Sequence, residues 1–139
     1  MQPKAVQGML DFDHICGRKI PSVAGMIYPF GGSHVQKFYW GTSETLIPVY
    51  TKVSEAIEKH PDVDIIVNFA SCRSVHETTM ELLKFSQIRT IAIIAEGVPE
   101  RKTKEINHEA NRRNVTIIGP ATVCFHLFIF FQFDLNVIF

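Results

Sequence analysis

Residues 88–99 read I-R-T-I-A-I-I-A-E-G-V-P, and this stretch decides the fold. A short apolar run rich in isoleucine is typical of a buried β-strand. Gly97 breaks the run, and Pro99 follows where the first turn of a helix tolerates a missing N–H. The stretch therefore predicts a strand that turns tightly into a helix. Ligands of open parallel sheets bind at the carboxyl ends of the strands, so Ala95 and Glu96 are placed where a nucleotide-like ligand would touch the backbone.

The rest of the chain alternates between apolar runs and helical patterns. Apolar runs predict strands at residues 22–29, 64–69 and 115–118, with a brief extended piece at 46–50. Apolar residues at helical spacing predict helices at residues 4–16, 51–59, 71–86 and 100–113. This alternation predicts an α/β fold, a parallel sheet with helices on both faces.

Local signals predict where these elements begin and end. Gly17 is expected to close the first helix. Thr51 and Ser71 are expected to be helix N-caps. Residues 30–41 carry three glycines among aromatic residues, and they are expected to form a loop.

Composition excludes several classes of function. The chain has 139 residues, which favours one domain, and its net charge of zero argues against nucleic acid or an anionic membrane as a partner. The three cysteines are widely spaced and the six histidines show no ligand spacing, so neither a disulfide framework nor a metal site is expected. Free cysteines and the lack of a signal-like apolar stretch at the N-terminus favour the cytoplasm.

Both ends depart from a complete doubly wound domain. Such folds begin with a strand, whereas this chain opens on a helix, so the first strand of the sheet is expected to be missing. Residues 124–139 read C-F-H-L-F-I-F-F-Q-F-D-L-N-V-I-F, which is too short to span a bilayer. Two interpretations stay open: a packed strand or helix, or non-native sequence such as translation past a splice boundary. The second is favoured because no turn signal joins the tail to the alternating pattern.

Seven segments carry a resemblance to a known family. They are A-V-Q-G-M-L-D-F-D at 5–13, Y-P-F at 28–30, Q-K-F-Y-W-G at 36–41, H-P-D-V-D at 60–64, N-F-A-S at 68–71, Q-I-R-T-I-A-I-I-A-E-G-V-P at 87–99 and V-T-I-I-G-P-A-T-V at 115–123. Together they resemble the CoA-binding segment of animal ATP-citrate lyase, which is related to the succinyl-CoA synthetase α-subunit. The resemblance implies a Rossmann-like CoA-binding domain over residues 1–123, followed by a divergent tail over 124–139.

The resemblance also indicates which part of the family's reaction these residues could take part in. The family converts citrate, CoA and ATP to acetyl-CoA, oxaloacetate, ADP and phosphate through a phosphohistidine, and so supplies acetyl-CoA for lipid synthesis. The ATP-grasp, citrate-binding, phosphohistidine and citrate-synthase-like parts have no counterpart in these residues. We therefore expect a CoA-binding fragment that is not catalytic alone, and the sequence leaves open whether it is an enzyme. The alternatives are an interaction or decoy fragment that pairs with full-length ATP-citrate lyase subunits through strand edges, or an unstable gene-model fragment.

Three sets of CoA-binding residues follow from the resemblance in the first half of the chain. Residues 2–8 open the first helix, whose free N–H groups attract phosphate. Lys37 is expected to face the CoA phosphates, although a lone surface lysine is usually only solvated. Pro29 and Phe30 are expected to pack on adenine, with ordinary loop packing as the alternative. The first-helix candidates are Lys4, Ala5, Gln7 and Gly8.

The second half of the chain contributes residues at two strand ends. Ala70 follows the strand at 64–69 and is a candidate contact, whereas Ser71 is expected to be a helix cap. Ile94, Ala95 and Glu96 match the family's typical CoA contact, through the backbone and through a carboxylate on a ribose or adenine group. The alternative for Glu96 is an acid near a helix N-terminus. CoA would be a substrate, and no catalytic residue is predicted.

Overall fold

The computed structural model describes residues 3–121 and 137–138. These residues divide into two compact units, one formed by residues 1–63 with 134–139 and the other by residues 64–133. The helices and strands in chain order are α1 Pro3–Ile15, β1 Val23–Ile27, β2 His34–Trp40, β3 Ser43–Tyr50, α2 Val53–Lys59, β4 Ile65–Asn68, α3 Val75–Leu82, β5 Thr90–Ile93, α4 Glu100–Arg113, β6 Thr116–Ile118 and β7 Val137–Ile138. Unit 1 holds α1, β1, β2, β3, α2 and β7, and unit 2 holds β4, α3, β5, α4 and β6.

The strands of unit 1 lie in the order β2-β3-β1-β7. β1 is parallel to both of its neighbours, whereas β2 and β3 form an antiparallel hairpin closed at the pair Trp40–Ser43. The predicted parallel pairing is thus found for β1, and the antiparallel β2–β3 hairpin makes the sheet of this unit mixed. Gly41 makes the tight turn possible, since it adopts a left-handed φ of 60° that side chains disfavour.

The prediction of a loop over residues 30–41 is also wrong. His34–Trp40 form β2, in which Phe38 is buried while Val35 and Tyr39 are exposed. This period-2 alternation is the signature of a half-buried strand. The glycines before and after it mark the ends of the strand rather than a loop through its middle.

β7 lies beside β1 in unit 1. The Val137 N–H donates to the Ser22 carbonyl at 2.7 Å, and Val23 is in register with Val137. Both residues of β7 are fully buried. β1 therefore has a neighbouring strand on each side, although the first strand of the sheet was expected to be missing. The other residues of the tail at 124–139 lie outside the described residues, so the proposed division at residue 123 stays a prediction.

The core of unit 1 joins α1 to its sheet. Val6 and Leu10 lie one helical turn apart and are fully buried. Burial of an aliphatic side chain of this kind contributes about 1.5–3 kcal/mol. They pack with Val23, Met26, Phe38, Ile47 and Val49. After α1 the chain reverses at Gly17, whose φ is 73° and whose N–H donates to the His14 carbonyl, which confirms the predicted helix end.

The strands of unit 2 are parallel, in the order β4-β5-β6. The stretch at residues 88–99 becomes β5, a turn with Gly97 at φ 70°, and the start of α4. Pro99 is the N-cap of α4, and Ile106 and Ala110 form its buried stripe. The strand–turn–helix prediction is confirmed. Among the described residues, no helix is both long and apolar enough to cross a membrane.

Two predicted helix caps are wrong. α2 has Lys52 rather than Thr51 at its N-cap, and no side chain caps it. α3 has Ser74 rather than Ser71 at its N-cap. The Ser71 carbonyl accepts the N–H groups of Ser74 and Val75 instead, so a turn precedes the helix.

Candidate functional site

The carboxyl ends of the strands in unit 2 are joined by backbone hydrogen bonds. The Ile94 N–H donates to the Asn68 carbonyl at 3.2 Å, which carries the β4–β5 pairing one residue past β5. The Ala121 N–H donates to the Ala95 carbonyl at 3.1 Å. These bonds hold the segment that ends in Glu96, whose side chain is exposed. The predicted residues Ile94, Ala95 and Glu96 thus lie on a fixed strand end that faces solvent.

Ala70 lies at the neighbouring strand end. It is half-buried, and its N–H donates to Asn68 Oδ1 at 2.9 Å. Because the Asn68 carbonyl also receives the Ile94 N–H, the loop after β4 and the loop after β5 start side by side. The structure therefore brings together all four of the residues predicted in this unit.

In unit 1, the four candidates on α1 differ in how they are used. Lys4 and Gly8 are exposed, and a Cβ at Gly8 would have no atom within 4 Å. Gln7 Nε2 donates to the Tyr39 carbonyl at 2.9 Å, and the Tyr39 N–H donates back to Gln7 Oε1 at 3.0 Å. The side chain of Gln7 thus pairs with the outer edge of β2 as a strand would. Ala5 is half-buried.

Phe30 and Pro29 follow the end of β1. Phe30 is 86% exposed, which is unusual for so large an apolar side chain. Its ring stands edge-to-face against Tyr28, with the centroids 5.7 Å apart. An aromatic ring held by one neighbour and open to solvent suits stacking on a planar base.

Lys37 lies on the exposed side of β2. Its Nζ is 2.8 Å from Glu44 Oε1 and 5.7 Å from the centre of the Tyr39 ring. The hydrogen bond to Glu44, followed by the charge interaction with Tyr39, raises the pKa of Lys37 above its ordinary value. An anion that binds Lys37 must compete with a carboxylate already in place.

Residues 1–97 match a family model described as the CoA binding domain. The chain belongs to this family. Over 123 residues it is 68% identical to the probable ATP-citrate synthase subunit 1 of Neurospora crassa, a match that covers 88% of this chain and 18% of that protein. It is 59% identical over 123 residues to the ATP-citrate synthase of Homo sapiens, covering 88% of this chain and 11% of that one.

A solved structure is similar to this CoA-binding domain in fold as well. It is the ATP citrate lyase of Methanothrix soehngenii in complex with citrate and coenzyme A, with a TM-score of 0.85 and 46% identity. The match covers 88% of this chain and 20% of that chain. The α/β class and the resemblance to ATP-citrate lyase are therefore confirmed. The chain spans one fifth or less of these relatives.

Sequence reasoning missed two buried polar side chains that shape the loops of this CoA-binding domain. Asp13, which is 3% exposed, accepts the Ser22 N–H at 2.8 Å and the Ser22 hydroxyl at 2.6 Å, and lies 3.3 Å from Arg18 Nε. It fixes the connection from α1 to β1. Asn68, the last residue of β4, fixes the loop that follows this strand, because its Oδ1 accepts the Ala70 N–H. Its signal was visible in the sequence, as the single polar residue within the apolar run at residues 65–69.

A further pair lies in unit 1 away from the predicted residues. The Tyr50 hydroxyl and His60 Nε2 are 2.9 Å apart, and the two rings meet edge-to-face. Burial, followed by the charge of Lys59, lowers the pKa of His60. The residues described here contain no group of three or more His, Cys, Asp or Glu side chains that could hold a metal ion.

Proposed function

We propose that this chain binds coenzyme A as the CoA-binding module of an ATP-citrate lyase, in which CoA is the substrate that becomes acetyl-CoA. The observation that carries the proposal is the similarity, at 46% identity and a TM-score of 0.85, to an ATP citrate lyase solved with coenzyme A. The matched family model points to the same ligand.

The strand ends of unit 2 support this proposal by their chemistry. The bonds at Ile94 and Ala95 fix the backbone before the turn at Gly97, so a ligand meets preorganised peptide groups. Glu96 is suited to ribose hydroxyls or the adenine amino group, because a carboxylate repels phosphate. In unit 1, Phe30 offers an aromatic face for adenine and Lys37 offers a positive charge for phosphate.

We further propose that these residues bind CoA without performing the chemistry themselves. The family reaction needs citrate, ATP and a phosphohistidine, and the chain corresponds to 11% of the human enzyme and 18% of the Neurospora subunit. The remaining parts of such an enzyme would supply catalysis. A cytoplasmic site of action fits this role and stays a prediction.

Isothermal titration of the full 139-residue chain with CoA tests the proposal. We expect saturable heat with one CoA per chain, and a flat trace from a sample that melts cooperatively would refute CoA binding. Lys37→Gln should weaken binding by about tenfold through loss of one charge-assisted contact. Lys84→Gln removes an exposed lysine outside the predicted set and should leave the affinity unchanged.

A second candidate function is pairing with full-length ATP-citrate lyase subunits. The observation that favours it is the group of exposed apolar side chains that surrounds the Lys37–Glu44 ion pair on the outer face of the β2–β3 hairpin, where Val35 is 58%, Tyr39 50% and Leu46 66% exposed. Co-expression with a tagged full-length subunit tests it. Co-purification that is lost in Val35→Lys together with Leu46→Lys supports pairing, and absence of the chain from the purified enzyme refutes it.

A further inference from the structure

A buried carboxamide ends β4. Asn68 is 7% exposed and follows three fully apolar residues of the strand, Ile65–Val67. Asparagine is disfavoured in strands, and an unsatisfied buried amide is destabilising. A buried asparagine at this position therefore needs acceptors for its NH₂ group and a donor for its carbonyl oxygen.

All of these partners belong to unit 2. Asn68 Nδ2 donates to Thr78 Oγ1 at 3.0 Å and to Thr79 Oγ1 at 3.1 Å, both on α3. Asn68 Oδ1 accepts the Ala70 N–H at 2.9 Å. Both amide hydrogens are therefore used, and the oxygen closes a turn onto the backbone two residues ahead.

This arrangement fixes the shape of the loop between β4 and α3. The turn directs the Ala70 N–H toward Asn68, so Ala70 can offer a ligand its carbonyl or its methyl group but not its N–H. The two threonines tie the same loop to the middle of α3. The Asn68 carbonyl also receives the Ile94 N–H, which links the loop to the start of the Ile94–Glu96 segment.

We propose that Asn68 is a positioning residue for CoA: it sets the loop at Ala70, and the strand end beside it, in the shape that receives the ligand. The proposal rests on the CoA-binding function proposed above. Asn68 does not touch CoA itself, because its side chain is engaged on both ends within the protein. Its effect on binding passes through Ala70 and the segment that begins at Ile94.

Titration with CoA, paired with thermal melting, separates this role from a merely stabilising one. Asn68→Ala removes both the turn and the tether to α3, and we expect its Kd for CoA to rise about tenfold. Asn68→Ser retains an oxygen that can accept the Ala70 N–H but is too short to reach α3. We therefore expect it to recover part of the affinity while its melting temperature stays low.

The matched control is Ile106→Val on α4. Ile106 is 2% exposed, so the substitution lowers the melting temperature, but it lies outside the two loops. We expect its Kd to stay within about twofold of the wild type, since a loss of stability alone does not reshape the loops.

The possible results distinguish failure of the positioning role from failure of CoA binding itself. Wild-type binding with an unchanged Kd in Asn68→Ala refutes the positioning role and leaves the proposed function standing. An equal loss of affinity in Ile106→Val also refutes it. If Asn68→Ala does not fold, Asn68→Val decides in its place, because valine suits a strand but cannot accept the Ala70 N–H, and a Kd equal to that of the wild type refutes the role. A flat titration of folded wild-type protein refutes the proposed function, and this inference with it.

Discussion

Replacement of Gly8 by alanine should move stability and CoA affinity in opposite directions. Gly8 lies in the middle of α1, it is exposed, and an added Cβ would meet no atom within 4 Å beyond the backbone of its own helix and its chain neighbours. Glycine inside a helix is less favourable than alanine by about 0.5–1 kcal/mol. Because the structure offers no clash, the whole of that difference should appear as stabilisation.

Both the gain in stability and the loss of CoA affinity are large enough to measure. For a chain of 139 residues, a gain of this order raises the melting temperature by about 2–4 °C. If a CoA phosphate approaches the helix at Gly8, the new methyl group occupies the space that the ligand needs. The Kd should then rise by about tenfold or more. Differential scanning calorimetry and isothermal titration on the same sample give both values.

A control on another helix isolates the binding effect. Asn107 is exposed in the middle of α4 and is not a predicted contact, so Asn107→Ala should also raise the melting temperature and leave the Kd unchanged. A Gly8→Ala protein that is more stable and binds CoA as the wild type does would remove Gly8 from the site. A less stable Gly8→Ala protein would contradict the open space seen around Gly8.

Three further predictions concern stability in unit 1. Asp13→Ala leaves the buried Ser22 N–H without its acceptor and should cost about 1–3 kcal/mol in urea unfolding; a loss below 0.5 kcal/mol would contradict it. Gly41→Ala forces a left-handed φ on alanine and drives its methyl group into the His14 imidazole, so the melting temperature should fall, and an unchanged value would contradict it. Burial lowers the pKa of His60, so the unfolded chain takes up its proton first. Stability should be full above pH 6.5 and fall below it, and His60→Gln should flatten that part of the profile in urea titrations between pH 5 and 8.

The regular parts of the fold were predictable because they repeat one local pattern. The run at residues 88–99 holds both the strand and its turn, and α4 shows its buried stripe at Ile106 and Ala110. Residues 46–50 of β3 were predicted to be extended, whereas β2 and its pairing with β3 were missed because the glycines that flank β2 are also typical of a loop. For the tail, a packed strand was left open but not favoured, because Val137 pairs with residues more than a hundred positions earlier and local patterns do not indicate such distant partners.

The candidate site also contains residues that local sequence predicts and contacts that depend on tertiary structure. The neighbouring ends of β4 and β5 follow from parallel pairing, so Ala70 and Glu96 could be named from sequence. The ion pair of Lys37 with Glu44 depends on the register of the hairpin, which no local signal had revealed. The proposed role of Asn68 depends on two hydroxyl groups that α3 brings to its amide, a tertiary contact that no local pattern indicates.

The place of β7 has a consequence for how the protein forms on the ribosome. β1 and the strand on one of its flanks, which ends at residue 138, are made more than a hundred residues apart. Until that strand has left the exit tunnel, the flank of β1 offers unpaired peptide groups to any extended chain nearby. Newly made chains should therefore depend on holding factors for longer than the 63 residues at the start of unit 1 alone would require.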